Sequence, residues 1–180
     1  YKEMGVKYVF MQAAYNEQAN WQDIMNSYIV SRMLWDTSLD AEELRNEFIS
    51  LYYSGVESYV FDFINNMDEK YASIFSSGKV YDPYAWASSS VLTDSCYYTA
   101  SFWKEQIGIL ESAISAVDNL SIPNAEKTAL KARLKNILLT PQFCLAIHYD
   151  EYYPNDSANE RNEFLKEFFD ANFFFSLLCQ

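Results

Sequence analysis

Between residues 56 and 74, large apolar side chains recur every three or four positions without a break. They are Val56, Tyr59, Val60, Phe63, Ile64, Met67, Tyr71 and Ile74. This spacing places them on one face of a helix, and that face has to be buried against other apolar surface. Only four Gly and four Pro occur among the 180 residues, so few positions interrupt such helices. The sequence therefore predicts an all-α fold.

Two shorter helices are predicted before this one. Asn20 is a candidate N-cap for the first helix. Its apolar positions at helical spacing are Trp21, Ile24, Met25, Tyr28 and Trp35. Asp40 opens the second helix in a variant of the capping box, and Gly55 ends it because glycine adopts a positive φ at little cost. The inward positions of the second helix are Leu44, Phe48, Leu51 and Tyr52.

The remaining helices follow an irregular connection expected at residues 79–95. A fourth helix begins near Thr99, and a fifth begins after Pro123. Pro141, which lacks a backbone N–H donor, is expected to kink or restart the chain, so that residues 143–153 form a separate helical stretch. A last helix is predicted from about Ser157. Residues 19–180 should therefore form a bundle of six or seven helices.

Residues 5–12 do not fit the helical pattern. The run from Gly5 to Gln12 is rich in β-branched and aromatic residues, which is typical of a strand. No second strand is evident in the sequence, and an unpaired strand leaves its backbone N–H and C=O groups without partners. We therefore expect an extended segment that is either poorly ordered or paired outside the chain, including self-association with a second copy.

The charge of the chain excludes several classes of partner. Lys and Arg number 13 against 25 Asp and Glu, which gives a net charge of −12. Binding to phosphates depends on clustered basic residues, so neither nucleic acid nor an anionic membrane is an expected partner. No apolar run is long enough to span a membrane.

The chemically reactive residues do not form a recognisable catalytic motif. His148 is the only histidine, and no nucleophile motif accompanies it. The three cysteines, Cys96, Cys144 and Cys179, are too widely spaced for a zinc motif and are interpreted as buried free thiols. The acidic pairs Asp68-Glu69 and Asp150-Glu151 point in different directions on a helix and are interpreted as surface charge. No catalytic residue, metal site or cofactor is therefore expected in this chain.

Residues 5–55 resemble an uncharacterised bacterial family whose members look like glycoside hydrolases, with a TIM barrel followed by a helical region. The segment from Gly5 to Gln12 is similar to the last barrel strand of that family. The family turn Leu-Trp-Asp-Pro corresponds here to the residues around Trp35-Asp36, and the next family helix corresponds to Glu47-Phe48 and Tyr52-Tyr53. Related helices follow the barrels of hexosaminidase-like and α-glucuronidase-like enzymes.

The resemblance implies a division of the chain and a role for two residues. Residues 1–18 would be the last barrel strand and loop of a longer parent, and residues 19–180 its helical C-terminal domain. Gln12 and Tyr15 would contact the substrate at the barrel mouth, whereas Met11 stands where the family often has Glu, so no catalytic role is carried over to that position. The implied partners are the N-terminal barrel of the parent chain and a polysaccharide. The parent would then be secreted or displayed at the cell surface.

The sequence is also compatible with two other functions. The chain is alternatively a structural or protein-interaction module without an enzymatic parent. A third reading is a stand-alone carbohydrate-binding domain that uses Tyr84 and Trp86 in the irregular connection, because exposed aromatic rings stack on sugars. If a barrel has been removed, the apolar surface near Trp21 and Tyr28 should be partly exposed.

Overall fold

The computed structural model describes residues 3–6, 8–9, 21–76 and 95–178, and in these ranges its regular structure is helical. Seven α-helices are present there, and a short 3₁₀ turn at Val117–Asn119 follows the fourth. The helices are α1 (Trp21–Trp35), α2 (Ala41–Tyr52), α3 (Glu57–Ser76), α4 (Ala100–Ala116), α5 (Asn124–Ile147), α6 (Tyr149–Tyr152) and α7 (Ala158–Leu178). The described ranges contain no strand. The predicted all-α fold and the predicted number of helices are confirmed.

Several helix ends are fixed by the residues that the sequence indicates. The carboxylate of Asp40 accepts hydrogen bonds from the backbone N–H groups of Glu42 and Glu43, at 2.8 and 3.0 Å. Gly55 has a φ of +92° in the turn between α2 and α3, which is the left-handed conformation that glycine adopts most easily. Asp40 therefore caps α2 as predicted, and Gly55 has the predicted positive φ, although α2 ends at Tyr52 and its C-cap is Tyr53.

The start of α7 contains a capping box that the sequence reading missed. The backbone N–H of Glu160 donates to the Ser157 hydroxyl at 3.3 Å, and the backbone N–H of Ser157 donates to the Glu160 carboxylate at 2.7 Å. These two bonds satisfy amide groups that a helix start otherwise leaves without partners. Ser157 and Glu160 stand three positions apart, so the motif is readable from the sequence.

The helices pack side by side around one main core. Successive helices from α1 to α5 contact each other, α1 also reaches α5, and α7 packs on α5. The core contains Phe63, Leu110 and Leu134, all of them buried. A second cluster lies between the end of α3, the start of α4 and the end of α5, where it contains Ile74, Tyr98, Trp103, Cys144 and Leu145.

Four of the predicted inward positions face solvent instead. The exposed ones are Ile24, Trp35, Leu51 and Tyr71. The core-facing side of α1 is narrow, because only Trp21 and Met25 are buried along its 15 residues. Trp21 shows the opposite difference, because the surface around it was expected to be partly exposed. Trp21 is buried with its ring edge-on to Phe63, at a centroid distance of 5.9 Å, and Tyr28 is half-buried.

Pro141 does not restart the chain. Helix α5 runs without a break from Asn124 to Ile147, so the prediction of a separate helix after Pro141 is wrong. The Pro141 ring is fully buried, and its packing offsets the hydrogen bond that proline cannot donate. None of the described helices combines the length and the apolar character that a membrane crossing requires.

Candidate functional site

The residues predicted to contact sugar lie outside the described ranges. Gln12 and Tyr15 belong to residues 10–20, and Tyr84 and Trp86 belong to residues 77–94, none of which the structure describes. Their roles stay predictions. In the predicted strand, the described residues Val6, Tyr8 and Val9 are exposed and have no regular secondary structure, and Gly5 has a φ of +70° in a turn.

A polar trio joins α1 to α2 at the surface. The hydroxyl of Tyr28 donates to the carboxylate of Glu47 at 2.8 Å. Arg32 donates to the Tyr28 hydroxyl at 2.7 Å and forms an ion pair with Glu47 at 3.3 Å. The hydrogen bond from Tyr28, helped by the charge of Arg32, lowers the pKa of Glu47, and the same hydrogen bond raises the pKa of Tyr28. The trio fixes how α1 lies against α2.

Beneath the trio, aromatic rings continue the contact into the core. The Tyr28 ring packs on Phe48 with a centroid distance of 5.5 Å, and Phe48 stacks on Tyr52 at 4.9 Å. Arg133 of α5 covers the Tyr52 ring at 4.1 Å and donates to the Tyr52 carbonyl at 2.7 Å. Glu47, Phe48 and Tyr52, which carry the family resemblance, therefore have structural contacts here.

Trp35 differs from those residues because its side chain is 93% exposed at the end of α1. Leu34 beside it is 51% exposed. The turn that follows is fixed by Asp36, whose carboxylate accepts hydrogen bonds from the backbone N–H and the hydroxyl of Ser38, at 2.9 and 2.7 Å. We define the α1–α2 corner as Leu34, Trp35, Asp36, Asp40, Glu42 and Glu43, all of them exposed.

The α1–α2 corner is acidic. Residues 33–44 contain four carboxylates and no basic side chain. In residues 21–55 the basic side chains are Arg32 and Arg45, and both already have carboxylate partners. Arg32 pairs with Glu47, and Arg45 pairs with Asp68 at 2.8 Å. The exposed indole of Trp35 therefore belongs to a segment, residues 33–44, in which every charged side chain is a carboxylate.

His148 lies in a constellation whose order does not match a catalytic triad. Its Nδ1 atom is 3.2 Å from one carboxylate oxygen of Glu151, and the Ser95 hydroxyl donates to the other oxygen. Glu151 thus lies between Ser95 and His148. A Ser-His-acid triad needs the histidine in the middle, so that the imidazole removes the proton of the hydroxyl. These three residues tie the segment before α4 to α6.

The other candidate reactive groups also have structural environments. Cys144 is buried, and burial raises the pKa of its thiol to about 12, which suppresses the reactive thiolate. Cys96 is exposed, which corrects the expectation that it is buried, and Cys179 lies outside the described residues. Asp150 pairs with Arg161 at 3.1 Å. Over the described residues, no group of three His, Cys, Asp or Glu side chains is placed to hold a metal ion.

Shallow clefts lie on the surface of the described helices. One, of about 590 Å³, runs along α3 and α4, where the hydroxyls of Ser112 and Ser115 donate to carbonyls of their own helix. Another, of about 350 Å³, lies between the end of α2 and α5 and includes Tyr52 and Arg133. The Tyr52 ring already contacts Arg133 and Phe48, so it is poorly placed to stack on a sugar.

Comparison with known proteins gives one match, over the first third of the chain. A family model described as "Domain of unknown function (DUF4838)" matches residues 1–65, which include α1, α2 and the first part of α3. Neither a search of curated proteins nor a search of solved structures found a match to the chain. The chain is therefore a helical domain that is similar, over residues 1–65, to an uncharacterised domain family.

Within the described part of the chain, the matched region also contains most of the exposed large apolar side chains. Among the described residues, eight of the twelve exposed large apolar side chains lie in residues 1–65. They are Met4, Val6, Tyr8, Val9, Ile24, Leu34, Trp35 and Leu51. The sequence reading missed Trp35 as an exposed residue because it lies at helical spacing from Tyr28. The run of carboxylates that follows it was the available signal.

Proposed function

We propose that this chain is the helical C-terminal domain of a carbohydrate-active bacterial protein and that it supports a catalytic barrel outside the chain. The concentration of exposed apolar side chains in residues 1–65 carries the proposal. Exposed apolar side chains gathered in one region are typical of a surface that packs against another domain. The match to the uncharacterised family covers the same residues.

The sugar-related part of the proposal rests on the residue pattern. Gly5 to Gln12, Trp35-Asp36 and Glu47-Phe48 resemble the end of the barrel and the following helices in glycoside-hydrolase-like proteins. In such barrels the active site is built at the C-terminal ends of the strands. Gln12 at the end of the last strand would then donate hydrogen bonds to sugar hydroxyls, and the ring of Tyr15 would line the mouth of the site.

The supporting role assigned to this chain agrees with its described side chains. His148 lies beside the Glu151 carboxylate, the Cys144 thiol is buried, and Arg45 and Arg161 pair with carboxylates of the two acidic pairs. What the described helices offer instead is a firm framework. The polar trio and the aromatic contacts beneath it fix α1 against α2, which supports a role as a rigid surface for a neighbouring domain.

The test compares the parent protein with this chain on a panel of polysaccharides and aryl glycosides. We expect binding or hydrolysis by the parent and none by residues 1–180 alone. In the parent, Gln12→Ala and Tyr15→Ala should raise KM, whereas Gln22→Ala, at an exposed position on α1, should leave KM unchanged. Hydrolysis by this chain alone, lost on changing one carboxylate, would contradict the supporting role. A parent that binds no glycan would contradict the sugar assignment.

A protein-interaction module without an enzymatic parent is the second candidate, and the exposure of Trp35 and Leu34 favours it. The same panel separates the candidates, because such a module binds a protein while the parent shows no response to glycans. Glycan binding by this chain alone, lost in Tyr84→Ala or Trp86→Ala, would instead favour a stand-alone carbohydrate-binding domain.

A further inference from the structure

We infer that the α1–α2 corner is a docking site for a basic protein surface, in which an arginine or lysine of the partner covers the ring of Trp35. The inference goes beyond the proposed function, because it specifies the chemistry of the partner surface whether or not that surface belongs to a sugar-acting barrel.

The exposure of Trp35 is the first observation. Tryptophan side chains bury large areas and dominate the energetics of cores and interfaces. Trp21 and Trp103, the other tryptophans in the described residues, follow this rule and are buried. Trp35 is 93% exposed, and Leu34 extends the apolar area beside it. A tryptophan left in water at the end of a helix is well placed to be the anchor of an interface.

The charge around Trp35 selects the partner. Residues 33–44 carry Asp36, Asp40, Glu42 and Glu43 without a basic residue, and Glu42 and Glu43 form no ion pair within the described ranges. The face of an indole attracts cations more strongly than any other aromatic ring, and arginine is the cation that most often occupies it. An exposed indole in a segment whose charged side chains are all carboxylates therefore fits a guanidinium or ammonium group.

The same charges argue against other occupants. A second copy of this chain would bring identical carboxylates against the corner, and each copy carries a net charge of −12. Nucleic acid and anionic lipid are repelled for the same reason. A purely apolar partner would leave the carboxylates at the rim without partners. A basic surface provides a cation for the Trp35 ring and partners for the carboxylates of the α1–α2 corner.

The corner is also held in shape before any partner arrives. The bonds from Ser38 to Asp36 fix the turn, and the bonds to Asp40 fix the first turn of α2. The trio of Tyr28, Arg32 and Glu47 holds the last two turns of α1 against α2. Little ordering is then needed on binding, which favours affinity.

The test is a titration of the ¹⁵N-labelled chain with the peptide acetyl-Gly-Arg-Gly-Arg-Gly-amide, followed by NMR. A peptide with Gln in place of both Arg is the matched probe. We expect the arginine peptide to shift the Trp35 indole N–H and the amides of residues 33–44 first, and the glutamine peptide to leave them unchanged. Raising the salt concentration should weaken the binding because the rim charges become screened.

Two variants distinguish the contribution of the Trp35 ring to binding from that of the neighbouring carboxylates. Trp35→Ala should raise the Kd for the arginine peptide about two- to five-fold, which is the size of an exposed cation–π contact. Glu42→Gln with Glu43→Gln should also weaken binding while keeping the indole. Phe169→Ala removes an exposed aromatic residue from α7 and should not change the Kd. Circular dichroism checks that each variant keeps its helices.

Four outcomes of the peptide titrations would overturn the inference. They are no binding of the arginine peptide, equal binding of the glutamine peptide, shifts spread evenly over all the acidic residues, and an unchanged Kd in Trp35→Ala. Self-association of the chain that disappears in Trp35→Ala would also overturn it, because the occupant would then be a second copy.

Discussion

The α4–α5 hairpin and the α1–α2 layer treat their large apolar side chains differently. In the hairpin, Trp103, Leu110, Leu134 and Ile137 are completely buried, and even the polar Gln106 is enclosed. In the layer, Trp21, Met25, Phe48 and Ile49 are buried, but Ile24, Leu34, Trp35 and Leu51 are exposed. Both regions are amphipathic helices of similar composition. The difference shows that apolar content alone does not distinguish a completely buried core from a layer that is partly exposed.

The difference has a geometric cause. Helix α4 lies between α3 and α5, so neighbouring helices cover it on two sides. Helix α1 lies on α2 and touches α5 only slightly, so a large part of its circumference faces outward. Helical spacing in the sequence shows which residues share a face of the helix. The number of neighbouring helices decides how much of that face is buried. The predictions below test this distinction, from the largest expected effect to the smallest.

The sharpest comparison replaces one tryptophan in each region by alanine. Trp103→Ala removes a completely buried ring that stacks on Tyr98 at 4.9 Å, and it should lower the free energy of unfolding by about 3–5 kcal/mol. Trp35→Ala should change it by less than about 0.5 kcal/mol, as for other surface substitutions. Urea denaturation of both variants measures the difference.

A large loss of stability in Trp35→Ala would contradict the comparison, because Trp35 would then be buried within this chain. A loss below about 1 kcal/mol in Trp103→Ala would show that the second cluster is not tightly packed.

These two tryptophans also show how much of the fold is readable from the sequence. Helix existence, the cap at Asp40 and the turn at Gly55 follow from local physics, and all were predicted. The exposure of Trp35 and the unbroken helix through Pro141 depend on neighbours that are distant in the sequence. The roles predicted for Gln12 and Tyr15 rest on the family resemblance and on the proposed barrel, and no residue pattern within the chain fixes their geometry.

Substitutions at two glycines test how tightly the turn between α2 and α3 packs against Leu120. Gly55 has a φ of +92°, and a β-carbon placed there would lie 3.0 Å from the side chain of Leu120. Gly55→Ala should therefore destabilise the chain by about 1–2 kcal/mol, from the left-handed backbone and the close approach. Gly108→Ala is the matched control. It lies within α4, a β-carbon there meets no atom within 4 Å, and the change should stabilise the chain by about 0.5–1 kcal/mol.

Thermal unfolding of both glycine variants gives the signs directly. Opposite shifts in Tm are expected. A rise in Tm for both would mean that the backbone at Gly55 relaxes without cost, so that the turn between α2 and α3 is not tightly held against Leu120. A fall in Tm for both would contradict the prediction for Gly108.

The cap of α2 should have a smaller effect. Asp40→Ala removes the acceptor of two backbone N–H groups and should cost about 1 kcal/mol. Asp40→Asn keeps an oxygen acceptor and should recover most of the loss. Chemical denaturation of the two variants measures the cap, and amide exchange at Glu42 and Glu43 should accelerate in Asp40→Ala alone. Unchanged exchange there would show that packing of Leu44, and not the cap, fixes the start of α2.

The smallest predicted effect concerns pH and the trio that joins α1 to α2. The hydrogen bond from Tyr28 lowers the pKa of Glu47 in the folded chain below its usual value of 4.5. A carboxyl group with a lowered pKa stabilises the folded state above its usual pKa, and this contribution is lost as the pH falls through the lower folded value. Glu47→Gln removes the titration, so the Tm difference between the wild type and this variant should be largest near neutral pH. It should shrink as the pH falls below about 4.5. Tyr28→Phe should reproduce the same trend by removing the donor.

Glu43→Gln, one turn earlier on α2, is the matched control, since its carboxylate accepts no side-chain hydrogen bond within the described residues. A Tm difference for Glu47→Gln that stays constant with pH would mean that aromatic packing on Phe48 alone holds α1. The α1–α2 layer would then depend on apolar contacts, as the α4–α5 hairpin does.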